Sequence, residues 1–185
     1  MTAAVRHLPA WHVAPRRAAD LRLRPWAPDD VAGVVAAEAA LSPASLTARF
    51  FTGSSRFPAA YLGHLSTIDP DRWDAVVALD DVGRFVGWAE FARPRDDDSV
   101  AELGVLVVDE WQRRGLGTRL VRMLLPRAIL SGVRTLAIDV EDGNAGAQGA
   151  VRSLFGDRAP VARDGGVLHY AVPLIHPVIA GEIRD

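Results

Sequence analysis

Residues 101–130 read AELGVLVVDEWQRRGLGTRLVRMLLPRAIL, and this run constrains the fold more than any other in the chain. Its first part, VAELGVLVV from Val100, is almost continuously apolar, as expected of a strand buried on both faces. From Gly115 the apolar residues recur at helical spacing, and Gly132 is a suitable stop. Pro126 is expected to kink or shorten that helix. Between strand and helix lies a short loop, QRRGLG, with two arginines and two glycines one residue apart.

Such a loop suits an anion. Glycines at 115 and 117 remove side chains where a ligand would approach the backbone. The first N–H groups of a helix have no internal acceptor, and the helix dipole places about half a positive charge beside them. Phosphate or pyrophosphate fits best, held by amides between Arg113 and Thr118, with Leu116 among them. Gln112, Arg113 and Arg114 can add side-chain contacts. A Walker loop is excluded because all 21 basic residues are arginine. A dinucleotide fingerprint is excluded because Leu120 stands where its third glycine belongs.

The rest of the chain supplies a mixed α/β order. Leu21–Trp26 alternates like a strand, Pro28–Asp30 opens a helix, and Ser42-Pro43 opens a second. A third helix spans roughly Pro58 to Ser66. WDAVVALDDVGRFVGWAEFAR reads as a hairpin turning at Asp81–Gly83. After the central helix come a strand at TLAIDV, a weak helix at NAGAQGAVRSLF and a last strand at GGVLHYAVPL. We expect a loosely ordered segment at 1–19, one domain at 20–175 and a tail at 176–185.

Composition narrows the function. A net charge of −2 argues against a nucleic-acid partner. The absence of cysteine excludes thiolate chemistry and disulfides and suits a reducing cytoplasm. Neither a signal peptide nor a membrane span is legible. The histidines show no metal spacing, so no metal is expected.

The Q-x-x-G-x-G spacing resembles the coenzyme A pyrophosphate loop of the GNAT superfamily of acyl-CoA N-acyltransferases. The segments LSPASLTARFF, WDAVVAL and AELGVLV resemble, more narrowly, the catalytic domain of bacterial Pat-type protein lysine acetyltransferases, over roughly residues 20–156. The resemblance implies a GNAT-like α/β (α+β) fold: a mostly antiparallel sheet flanked by helices, splayed at the CoA site. It implies acetyl-CoA or another acyl-CoA as co-substrate and a primary amine, a small molecule or a protein lysine, as acceptor. It also implies that the Val105 and Val107 backbones and Asn144 meet the pantetheine arm or the oxyanion, and that Arg49, Phe50 and Phe51 lie near the acceptor cleft. For Phe50 or Phe51, packing into the core is the favoured expectation. A homodimer is compatible with this reading. No fused regulatory domain is visible.

Acyl transfer to an amine needs a base. A lysine amine near pKa 10.4 costs about 4.6 kcal/mol to deprotonate at pH 7. Glu102 is the candidate, set in an apolar strand where a carboxylate must be paired or reach water. Its alternatives are an ion pair with an arginine or a water-facing edge. Glu90 is the reserve, with a solvated face as its expected setting. The tyrosine that many relatives use as acid falls at Val151, which cannot donate a proton. His169 and Tyr170 are the remaining donors, each expected to hold its polar end at the surface. The second reading is therefore a CoA-binding sensor or interaction module without catalysis.

Overall fold

The computed structural model describes residues 20–174. The expected terminal segments, 1–19 and 176–185, lie outside that range.

Among the described residues, seven strands form one sheet in the order β1-β2-β3-β4-β5-β7-β6. They are β1 (Arg22–Pro25), β2 (Trp73–Leu79), β3 (Phe85–Ala92), β4 (Val100–Val107), β5 (Thr135–Glu141), β6 (Ala162–Asp164) and β7 (Val167–Pro173). Every neighbouring pair is antiparallel except β4 with β5. Five helices flank the sheet: α1 (Asp30–Ala37), α2 (Pro43–Phe50), α3 (Ala59–Leu65), α4 (Leu116–Leu130) and α5 (Ala145–Phe155). This is the expected mixed fold with a mostly antiparallel sheet. The short β6 is the one strand the sequence did not announce: its three residues, Ala162 to Asp164, are all exposed and carry no burial pattern.

Local chemistry explains the helix starts. Ser42 accepts a hydrogen bond from the Ser45 N–H at 3.2 Å, and Pro43 occupies the first helical position of α2. Asp30 is buried beneath the start of α1, where it takes two 2.6 Å bonds from Arg24 and a third from the Ala27 N–H. Asn144 caps α5 through the Ala147 N–H.

Pro126 does not shorten α4, which continues to Leu130. A proline inside a helix costs about 3 kcal/mol. The buried stripe of Leu116, Leu120, Val121, Leu124 and Ala128 offsets this, since each fully buried leucine contributes about 1.5–3 kcal/mol. Arg127 also ties α4 to Asp74 of β2 at 2.6 Å.

The helices form two layers. A Cβ on Gly104 would meet Arg49 of α2, whereas one on Gly117 of α4 would meet Val105 and Val107. Successive strand residues face opposite ways, so α2 and α4 cover opposite faces of β4.

Candidate active site

The site is built where β4 loses a partner. β4 pairs with β5 only at Val100–Thr135, Ala101–Leu136 and Glu102–Ala137. Beyond that point β5 pairs only on its other edge, with β7. Ser99 accepts at its carbonyl from the Thr135 N–H on the β5 side, while the Val108 N–H donates to Val86 on the β3 side. Main-chain groups alternate between the edges of a strand, so those of Leu103, Val105 and Val107 face the gap. This also corrects the expectation of burial on both faces. Leu103, Val105 and Val107 are half-buried and Glu102 is exposed, because the sheet opens beside them.

The loop that follows is shaped by two left-handed residues, Arg113 at φ 57° and Gly115 at φ 77°. Gly115 is the N-cap of α4 and offers no side chain. Among the described residues, no main-chain acceptor serves the N–H groups of Gly115, Leu116, Gly117 or Thr118. Gln112 turns inward: its Nε2 donates to the Val107 carbonyl at 2.9 Å and to Ser45 Oγ at 2.8 Å. Asp109 joins the same group, accepting from Ser45 Oγ at 2.7 Å and from the Ser42 N–H. Burial pushes the Asp109 carboxyl up, but the hydrogen bonds from Ser45 and Ser42 outweigh it and hold it below the usual range. The loop is thus fastened to the start of α2. Arg114 lies over the Trp111 ring at 5.4 Å, and Arg113 is exposed.

Loop, open edge and the α2 side border one cavity of about 950 Å³. It reaches Glu102, Asn144 and Val151 as well as Gly115, Gly117 and Thr118. Sequence reasoning therefore named residues that share one space, Arg114 excepted. His169 and Tyr170, the proposed alternative acids, are not on its wall. The Tyr170 ring belongs to the core, and the residue is 8% exposed. His169 is half-buried, and its Nδ1 lies 2.8 Å from Asp139.

The wall on the α2 side holds the main surprise. Glu90 is not on a solvated face: it is 2% exposed. One carboxylate oxygen accepts from Arg49 Nη2 at 2.5 Å. The other accepts from Tyr61 Oη and Trp73 Nε1, both at 3.1 Å. Trp88 Nε1 donates in turn to Tyr61 Oη at 3.0 Å. Burial, then the adjacent Glu90 charge, pushes the Tyr61 phenol well above its ordinary value. Arg49 also lies over the Phe50 and Tyr61 rings. Phe50 packs against the core while Phe51 is 44% exposed, so Phe50 is the aromatic that meets the core expectation.

Glu102 shares a sheet face with this network. It is paired with Ala92, and its strand neighbour Gly104 is paired with Glu90. Glu102 is exposed and lines the cavity. Neither an arginine partner nor any other side-chain hydrogen bond is found for it among the described residues.

The cavity runs from helix-start amides without main-chain acceptors along an open strand edge to a carboxylate, a shape suited to an elongated ligand with a phosphate group. Residues 44–156 match the model of the acetyltransferase (GNAT) family, and the chain belongs to that family. The fold is similar to the GNAT domain of S. lividans PAT, at 22% identity and TM-score 0.74, covering 83% of this chain and 90% of that one. It is also similar to the phosphinothricin acetyltransferase of Sinorhizobium meliloti solved in complex with AcCoA, at 18% identity and TM-score 0.66, covering 83% and 88%. A third is the ribosomal-protein-alanine N-acetyltransferase of Brucella melitensis, at 20% identity and TM-score 0.63, covering 82% and 99%. The last two names state different acceptors, so the shared fold leaves the acceptor open. Among the described residues no helix is long and apolar enough to cross a membrane.

Proposed function

We propose that the chain moves an acetyl or other short acyl group from acyl-CoA to a primary amine, such as a protein lysine, in the cytoplasm, with Glu102 as general base. One observation carries this reading: the amides of Gly115 to Thr118 lack main-chain acceptors and stand at the head of an open strand edge. Four such donors suit a pyrophosphate, and each bond to a charged group contributes about 1.5–3 kcal/mol. The pantetheine arm would then lie along β4, meeting the main chain of Val107 and Val105, with Asn144 across the gap. Arg113 and Arg114 add positive charge at the mouth, while Gln112 holds the loop in shape.

The thioester would reach the point where β4 and β5 close, beside Glu102. The acceptor arrives as an ammonium, and Glu102 takes its proton directly or through water. The amine nitrogen then attacks the thioester carbon. The developing oxyanion is received by main-chain N–H groups of the open edge. Collapse breaks the carbon–sulfur bond and releases CoA as thiolate, which takes its proton from solvent or the acceptor. Val151 is buried and supplies no acid, the feature that favours the alternative of a CoA-binding module without catalysis.

Turnover of acetyl-CoA against a panel of amines and proteins separates the two readings. Glu102→Gln should lower kcat about 10²–10⁴-fold with CoA affinity retained. Unchanged turnover in that variant would remove Glu102 from the mechanism. CoA binding without thiol release for any acceptor would favour the binding module.

A further inference from the structure

The α2-side wall is tied together by a buried hydrogen-bond network. Arg49 is anchored by a carboxylate that is itself held by Tyr61 and Trp73. Its guanidinium lies directly over Gly104, filling the volume that any side chain at 104 would occupy. Gly104 sits between Leu103 and Val105, whose main-chain groups face the gap, and two positions along the strand from Glu102. An acyl group presented there, on the face that Glu102 serves, would project into the space over Gly104.

From this juxtaposition we propose that Arg49, locked by Glu90, ends the acyl pocket and makes the protein selective for acetyl over longer acyl groups. The inference rests on the acyltransferase reading above and adds a specificity-determining residue to it. A flexible arginine would swing aside for a longer chain. This one is held by an ion pair to a group 3% exposed and is stacked on two rings. Displacing it strips a partner from a buried carboxylate, so the wall resists. An added methylene that fits poorly is discriminated against by roughly 10–200-fold.

The test compares kcat/KM for acetyl-, propionyl- and butyryl-CoA with one amine acceptor, alongside calorimetry of CoA binding. Wild type should prefer acetyl over butyryl by about 100-fold or more. The double variant R49A/E90Q removes the guanidinium without stranding a buried charge, since the amide oxygen introduced by Glu90→Gln can still accept from Trp73 and Tyr61. Its butyryl-to-acetyl ratio should rise at least about tenfold, whereas a general loss of order would lower both substrates together. Wild-type protein that uses butyryl-CoA as well as acetyl-CoA overturns the proposal, whether or not the variant folds. A folded variant with an unchanged ratio overturns it too. CoA binding with non-selective turnover sinks this inference alone, while absence of CoA binding sinks the acyltransferase reading beneath it.

Discussion

Removing the Glu90 carboxylate tests the α2-side network most sharply. Glu90→Ala deletes the 2.5 Å ion pair with Arg49 and the acceptor for both Tyr61 and Trp73. The charged bond contributes about 1.5–3 kcal/mol and each neutral one about 1 kcal/mol. Arg49 is 22% exposed, so the cation left behind is largely desolvated. Breaking one side of such a pair typically costs about 3–5 kcal/mol, which we take as the expected loss. For a domain of this size that corresponds to a fall in Tm of roughly 10 °C. Glu90→Gln keeps the shape but has one acceptor oxygen. It can serve Arg49 or the Tyr61–Trp73 pair, not both, and should cost about 2 kcal/mol. Urea unfolding of the two variants at pH 7 gives both numbers. A loss below about 1 kcal/mol for Glu90→Ala, or equal losses for both, would refute the network as described.

Other consequences follow from the same geometry. Gln112→Ala removes the bonds that hold the loop to Val107 and Ser45, so KM for acyl-CoA should rise about 5- to 10-fold in steady-state assays with kcat little changed. Gly115→Ala places a Cβ at φ 77°, costing about 1–2 kcal/mol and lowering CoA affinity about tenfold by calorimetry. Stability should also depend on acid. The Asp80, Asp109 and Glu38 carboxyls are held below their usual range: at Asp80 and Asp109 burial acts upward but hydrogen bonds outweigh it, and at Glu38 the Phe57 N–H is the leading cause. A depressed carboxyl contributes fully above its unfolded value, near pH 4, and the contribution is lost as pH falls through the folded value. Urea midpoints should therefore be flat from about pH 6 to 7 and fall below about pH 4, less steeply in Asp109→Asn.

The elements that carry the cofactor reading were legible because each depends on local chemistry. Ser42-Pro43 announces α2, and the Gly115–Gly117 spacing announces the start of α4. Glu102 stood out as a charge in an apolar strand, and it lines the cavity. What the sequence hid depends on contacts between distant segments. Glu90 looked like a residue on a wet face because its three partners come from α2, α3 and β2, at separations of 41, 29 and 17 residues. Tyr61 drew no notice because α3 is a seven-residue helix with little amphipathic pattern. Gly104 read as one more small residue in a strand, and only the position of Arg49 gives it a purpose. Pro126 misled in the other direction, since propensity could not weigh the apolar stripe around it.

The central claim is that the amides from Gly115 to Thr118 receive a pyrophosphate. Titrating ¹⁵N-labelled protein with coenzyme A, and in parallel with pantetheine, tests it residue by residue. Coenzyme A should give saturable shifts centred on the Gly115, Leu116, Gly117 and Thr118 amides, and pantetheine none there. Unmoved amides in that turn, or equal shifts with both compounds, would contradict it.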